Sequence, residues 1–335
     1  MGDGLATAII TQAGSQMTTL FDRILEADVG IRPQVPVTPL DLSPALSASL
    51  GCEVLLKCEH LQPTGSFKVR GAANKVHMLD EAARRAGVIT ASTGNHGQGV
   101  ARAGAIAGVA VTVYVGSSAA AQKMAAIRAL GAQVVVIDGP PIDAELEARR
   151  QAQIQGKTYI SPYNDLDVVA GQGTIGIELA RQAPELGAVF VSVGGGGLIS
   201  GIGTALKRLS PHTRVVAVWP ENSPCMLEAL KAGTIVEALE YPTLSDATAG
   251  AVEAGSVTFP ICRDVIDETL TVTETEIASA MRTVAQTDRW MIEGAAGVAV
   301  AGLVKSAAAW QGRKVAAVIC GRNIALDKFL HAVSG

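Results

Sequence analysis

The sequence VFVSVGGGGLISG, residues 189–201, places an apolar run, four glycines and a helical pattern in direct succession. Such an order is typical of a buried strand that turns into a helix of an α/β protein. Four consecutive glycines allow backbone N–H groups to converge on one anion, and the positive end of the following helix points at the same place. The pattern predicts a phosphate-binding turn after a parallel strand, formed by Gly194, Gly195, Gly196 and Gly197.

A second interpretation of this glycine turn stays open. The turn loosely fits a dinucleotide fingerprint, in which Glu221, after the next apolar run, would be the acid that binds a ribose. Glycine turns also serve close packing, so the turn alone does not separate these alternatives.

Short β-branched runs alternate with helical stretches from Val88 onward, first ahead of the glycine turn and again from it to the carboxyl terminus. The alternation predicts an α/β protein whose mostly parallel, twisted sheets are flanked by helices, with strands apolar enough to be buried on both faces. Between the two series, residues 161–165 (SPYND) have the composition of a turn or hinge. We therefore predict two domains: a small one over residues 87–160, inserted into a large one built from residues 1–86 and 161–335.

The composition excludes several classes of protein. Of 335 residues, 48% are hydrophobic and 17% charged, which is typical of a packed α/β protein. The net charge of −4 comes without any block of like charge, so we expect neither nucleic acid nor membrane as a partner. Residues 1–16 lack the features of a secretory signal, and five cysteines form no C-x-x-C pair, so we expect a cytoplasmic protein without a disulfide framework or zinc cage.

The segment KCEHLQPTGSFKVRGA, residues 57–72, contains the residue with the clearest chemical potential, Lys68. Pro63 and Gly65 predict a turn that opens into a helix, which places Lys68 in the first helical turn. A lysine amine is nucleophilic only when neutral, and burial at the positive end of a helix lowers its pKa. The segment therefore favours covalent chemistry at Lys68, although an arbitrary lysine is usually a solvated surface residue.

Two further segments have features of a ligand site. In STGNHGQG, residues 92–99, backbone N–H groups and the hydroxyls of Ser92 and Thr93 would suit a substrate carboxylate, although an ordinary capped turn has the same composition. In VICGRN, residues 318–323, Cys320 ends the last predicted strand, where parallel sheets present their ligand crevice, and is otherwise a plain core residue.

These four segments, in this order and spacing, resemble the serine/threonine dehydratase-like branch of fold-type II pyridoxal-phosphate enzymes. The resemblance extends from about Thr38 to Asn323 and implies that Lys68 holds pyridoxal 5'-phosphate as a Schiff base. It implies that Ser92, Thr93, Asn95 and His96 surround the substrate. It also implies a wider cofactor site, which comprises Phe67, Lys68, Asn95, Gly194, Gly195, Gly196, Gly197, Gly250, Glu293 and Cys320.

The resemblance implies a lyase that removes the β-hydroxyl and the amino group of L-threonine, L-serine or a related amino acid, and a homo-oligomer, most simply a dimer. Trp219 stands where relatives that bind a divalent cation have an acid, so we predict no metal. Thr248-Ala249-Gly250 stands where relatives often read A-D-G, which keeps the glycine and loses its acidic neighbour.

Several alternatives stay open at this point. Thr93 stands where racemases have a serine that acts as a base, which leaves an amino-acid racemase possible. Residues 219–226, WPENSPCM, also resemble dehydratases assigned to hydroxyectoine utilisation. A β-replacement enzyme fits less well, because Asn95 is followed by His96 rather than threonine. A nicotinamide-binding oxidoreductase or a binding protein without activity would explain the glycine turn alone.

Overall fold

The computed structural model describes residues 20–334, so the expectation about residues 1–16 and the first part of the predicted large domain lie outside the described residues. The strands are β1 Leu40–Leu42, β2 Glu53–Lys57, β3 Val88–Ala91, β4 Val111–Gly116, β5 Gln133–Ile137, β6 Thr158–Tyr159, β7 Ala188–Ser192, β8 Arg214–Pro220, β9 Glu268–Val272 and β10 Lys314–Val318.

The helices begin with α1 over residues 20–30. Those that follow are α2 Pro44–Leu50, α3 Lys68–His77, α4 Glu81–Ala86, α5 Asn95–Ala107, α6 Ala121–Ala129, α7 Pro141–Gln155, α8 Leu166–Gln182, α9 Gly197–Leu209, α10 Cys225–Ala232, α11 Thr258–Val265, α12 Glu274–Thr287, α13 Gly294–Ser306 and α14 Leu326–Ser334. None of the helices within residues 20–334 is long and apolar enough to cross a membrane.

Two sheets organise the described chain. The larger has the strand order β1-β2-β10-β7-β8-β9 and the smaller β5-β4-β3-β6. Every pair is parallel except β1 with β2. The predicted fold class, an α/β protein with mostly parallel sheets flanked by helices, is confirmed.

Burial differs between central and edge strands. All five residues of β7 are buried, because helices cover both faces of the larger sheet at its centre. In β5, by contrast, Gln133 and Val136 are exposed. The expectation that the apolar strands are buried on both faces is wrong for β5, because it is the edge strand of the smaller sheet.

The division into two domains stays a prediction. All four strands of the smaller sheet lie between residues 88 and 159. However, Ala72 and Val76 of α3 belong to the same buried cluster as Val88 and Val100, so residues that precede position 87 help to form the core of the smaller sheet.

A buried network of charged side chains joins β2, α3 and α8. The Arg70 guanidinium donates to both carboxylate oxygens of Glu59, each at 2.7 Å, and to Glu178 at 2.6 Å. Lys57 Nζ lies 2.6 Å from the second oxygen of Glu178. Burial alone would raise the pKa of Glu178, but Arg70 and Lys57 hold it at about 2, so the carboxylate stays ionised.

We expect Arg70→Met to destabilise the protein by about 3–5 kcal/mol, because it leaves two buried carboxylates without their main partner. Arg85→Met removes an exposed arginine that pairs with the exposed Glu81 and should change the free energy of unfolding by less than about 0.5 kcal/mol. Urea unfolding of both variants measures the two changes. If both variants lost the same free energy of unfolding, the buried network would contribute no more to stability than the exposed pair.

Candidate active site

A cavity of about 900 Å³ lies between the two sheets, where β3, β4, β7 and β10 present their carboxyl ends. This is the position at which parallel sheets commonly bind ligands. All the predicted site residues lie on its wall: Phe67, Lys68, Ser92, Thr93, Asn95, His96, Gly194, Gly195, Gly196, Gly197, Gly250, Glu293 and Cys320. The structure therefore brings the predicted residues together, while their individual roles stay predictions.

Lys68 is the first residue of α3, and the chain before it is fixed by two contacts with the end of β10. Gly65 has φ +74°, which lets the chain turn. Its carbonyl accepts from the Arg322 N–H at 2.9 Å, and the Phe67 N–H donates to the Cys320 carbonyl at 3.0 Å. Lys68 Nζ donates to the Pro162 carbonyl at 2.9 Å. Burial lowers the pKa of Lys68 to about 8, against the opposing influence of Cys320 and Glu293. A substantial fraction of the amine is therefore neutral near pH 8.

The glycine turn after β7 packs closely against Tyr163 and Thr248. A Cβ atom at Gly195 would lie 2.5 Å from the ring of Tyr163, and one at Gly194 would lie 2.9 Å from the Thr248 carbonyl oxygen. Gly196 has φ +84°, which disfavours any residue with a side chain. The turn leads into α9, whose first N–H groups have no partner within the helix. These features fit a phosphate.

The loop that follows β3 leads into α5, and the first two residues of α5, Asn95 and His96, line the cavity. The first N–H groups of a helix have no partner within it and are free to bind a ligand. His96 Nε2 lies 3.0 Å from the Ile160 carbonyl, which can only accept, so this nitrogen carries the hydrogen. Burial lowers the pKa of His96 to about 3, so the ring is neutral and its one N–H is already used. A substrate carboxylate at this loop could be held by the His96 backbone N–H, not by its ring.

Asn95 forms a buried polar pair with Glu293. Its amide nitrogen donates to the two carboxylate oxygens at 2.9 and 3.1 Å, and its oxygen accepts from Asn323 at 2.5 Å. Burial raises the pKa of Glu293 to about 7, with Asn95 opposing and Asp246 adding to the rise. The carboxyl group thus changes its protonation near neutral pH.

Cys320 lies two residues after the end of β10 on the cavity wall, and the Ser192 hydroxyl donates to its sulfur at 3.7 Å. Burial raises the pKa of this thiol, and the charge of Glu293 raises it further, so Cys320 is neutral at physiological pH. Gly250, in contrast, lies at the exposed rim, where its N–H donates to Glu240 at 2.8 Å.

The sequence analysis did not identify several residues of the cavity wall. Pro162 and Tyr163 belong to the predicted hinge, whose composition shows a turn and gives no sign that it faces a ligand. Asn323 also lines the cavity, and its amide nitrogen donates to the Thr64 carbonyl at 2.8 Å and to Asn95 Oδ1 at 2.5 Å. Asp246 and Lys123 also act on the pKa of Glu293 through their charges, and neither lies in a recognisable motif.

The structure also bears on the alternatives. Glu221, the acid required by the dinucleotide interpretation, is exposed and lies 4.0 Å from Lys305, and the cavity wall within the described residues does not include it. Trp219 is completely buried in the core. Residues 20–334 contain no group of three or more His, Cys, Asp or Glu side chains placed to hold a metal ion.

The residues present fit pyridoxal phosphate. The glycine turn and the start of α9 form a cradle that side chains would fill, and Lys68 provides a lysine amine with a lowered pKa at the same cavity. Cys320 and Asn95 supply weakly polar and amide groups on the remaining walls.

Comparisons with known proteins agree with this assignment. A family model described as "Pyridoxal-phosphate dependent enzyme" matches residues 31–321. The chain is 41% identical to a Thermotoga maritima L-threonine ammonia-lyase, over 92% of this chain and 76% of that protein. Its structure is similar to a processed threonine deaminase from Solanum lycopersicum, with a TM-score of 0.92, 34% identity and coverage of 96% and 93%. It is also similar to maize serine racemase, with a TM-score of 0.87, 30% identity and coverage of 93% and 96%. The chain therefore belongs to the family of pyridoxal-phosphate dependent enzymes.

Proposed function

We propose that this protein is an ammonia-lyase that removes the β-hydroxyl and the amino group of L-threonine, L-serine or a related β-hydroxy amino acid. The products are a 2-oxo acid and ammonia. The β-hydroxyl leaves as water, and one water is consumed when the released imine is hydrolysed, so no net water is formed. The observation that carries the proposal is the convergence of Lys68, the glycine turn and the start of α5 on one cavity. The similarity to a protein named L-threonine ammonia-lyase supports the choice of substrate class.

Bound pyridoxal phosphate would withdraw electrons from the substrate α-carbon, which allows the α-proton and then the β-substituent to leave. Lys68 would hold the cofactor, and its freed amine would accept the α-proton, since its lowered pKa makes the neutral form available. The N–H groups at the start of α5 would bind the substrate carboxylate and orient the α-carbon toward Lys68.

The neutral thiol of Cys320 favours elimination over amino-group transfer to the cofactor. A carboxylate at this position would hold a proton on the bound cofactor and favour amino-group transfer, whereas the neutral thiol would offer no negative charge. Cys320 acts here through its lack of charge and not as a nucleophile.

An amino-acid racemase is the second candidate. Thr93 lies on the cavity wall, where its hydroxyl could return a proton to the α-carbon. The similarity to maize serine racemase supports this possibility, but a protein named for ammonia-lyase activity shares more sequence identity.

We also propose a cytoplasmic location and a homo-oligomeric state, most simply a dimer. All five cysteines are free and buried, which suits a reducing compartment.

With L-threonine, we expect the purified protein to release 2-oxobutanoate and ammonia in equal amounts. Lys68→Ala should lower the rate by at least about 10³-fold, because it removes both the cofactor attachment and the proton acceptor. Lys328→Ala, on the exposed surface of α14, is the matched control and should leave the rate unchanged. Borohydride reduction followed by peptide mapping should label Lys68 alone.

Chiral analysis of the amino acid that remains decides between the two candidates. Accumulation of D-serine from L-serine without an oxo acid would replace the lyase by a racemase. A protein that stays colourless and unlabelled with added pyridoxal phosphate would contradict both.

Glu293→Gln should change how stability depends on pH. The pKa of Glu293 is raised by folding, so the folded protein retains a proton that the unfolded chain releases, and stability falls as the pH rises toward about 7. The variant lacks this loss, so its stability relative to the unmodified protein should rise by about 3 kcal/mol between pH 5 and pH 8. Urea unfolding of the cofactor-free protein measures it, with the exposed Glu237→Gln as control. A difference that does not depend on pH would contradict the raised pKa.

A further inference from the structure

Arg149 lies outside the catalytic groups and joins two opposite parts of the cavity wall. It belongs to α7, beside the smaller sheet, and its guanidinium lies 4.3 Å from the ring centre of Tyr159. Its Nη2 atom donates to Glu145, one helical turn earlier, at 2.9 Å. The same atom donates at 2.5 Å to Glu253, which lies in the segment that precedes α11 beside the larger sheet.

Glu253 connects this ion pair to the glycine turn. Its second carboxylate oxygen accepts from Asn164 at 2.8 Å, and its backbone N–H donates to the Tyr163 hydroxyl at 2.9 Å. The Tyr163 ring packs directly against Gly195, where a Cβ atom would lie 2.5 Å away. A chain of direct contacts therefore runs from α7 to the proposed phosphate cradle.

The charges make this connection depend on a single cation. Glu145 and Glu253 both line the cavity, and both bind the same guanidinium nitrogen. Without Arg149 the two carboxylates would face each other across the gap with no positive charge between them. Repulsion would then favour a wider opening between the two walls and a displaced Glu253.

We propose that Arg149 is a positioning residue that holds the two walls of the cavity together and, through Glu253 and Tyr163, fixes the glycine turn for the cofactor phosphate. It contacts neither the reacting atoms nor the cradle itself. The measurement of KM for L-threonine rests on the proposed function. The measurement of cofactor affinity does not, because cofactor binding follows from membership of the family.

The experiment compares Arg149→Met with Arg150→Met in the full-length enzyme. Arg150 is the matched control, since it is the next residue of α7 and pairs with Glu147 on the outer surface. We expect Arg149→Met to raise the dissociation constant for pyridoxal phosphate and the KM for L-threonine each about fivefold, with kcat changed by less than about twofold. Arg150→Met should change none of the three. Absorbance titration gives the first constant without any substrate.

Two further variants test the charge argument. Arg149→Lys keeps the cation and should recover most of the cofactor affinity. Adding Glu145→Gln to Arg149→Met removes one of the facing carboxylates and should recover about half of the lost cofactor affinity on a logarithmic scale. Because salt screens the repulsion between the carboxylates, 1 M salt should also reduce the loss of cofactor affinity in Arg149→Met.

Three results would overturn the proposal: an unchanged cofactor affinity in Arg149→Met, an equal loss in Arg150→Met, or a loss that neither Arg149→Lys nor Glu145→Gln relieves. If no β-hydroxy amino acid is a substrate but the cofactor titrations behave as expected, the proposed function fails and the role of Arg149 stands.

Discussion

The active site depends on the pairing of Arg70 with Glu59 and Glu178 in the core. Buried charges are tolerated only when each is paired and hydrogen bonded, so the end of β2, the start of α3 and the middle of α8 are held in one arrangement. Lys68 lies two residues before Arg70 in the same helix. An ion network whose residues are not part of the cavity wall therefore fixes the position of Lys68, the residue proposed to hold the cofactor.

Close helix packing supports the same arrangement. A Cβ atom at Gly171 of α8 would lie 2.5 Å from the Arg70 carbonyl oxygen, and one at Gly201 of α9 would lie 2.5 Å from the Gly173 nitrogen. The helices can therefore approach at these points only because side chains are missing. This approach places the first residues of α3 and α9, Lys68 and Gly197, on the wall of one cavity.

The features that the sequence predicts well are those with local causes. The strands after Val88, the first helical turn at Lys68 and the glycine turn follow from apolar periodicity and from backbone requirements, which neighbouring residues determine. The contact of Asn95 with Glu293 joins residues 198 positions apart and depends on how α5 and α13 pack, which no local pattern encodes. The packing of Tyr163 against Gly195 and the exposure of β5 are likewise decided by tertiary packing.

Lys57 and Lys68 differ in their surroundings, and this difference is the reason to propose Lys68 as the reactive lysine. Lys57 Nζ donates to the Thr38 carbonyl, to Glu178 and to Gln182, at 2.8, 2.6 and 2.8 Å, so all three of its hydrogens are used in a closed core. Among residues 20–334, Lys68 Nζ has one protein acceptor at hydrogen-bond distance, the neutral carbonyl of Pro162, and it lies on the wall of a cavity. A carboxylate partner would stabilise the ammonium form of Lys68. With a neutral carbonyl as partner, burial lowers the pKa of Lys68 to about 8, so a substantial fraction of the amine is neutral near pH 8 and can bind a carbonyl-bearing cofactor.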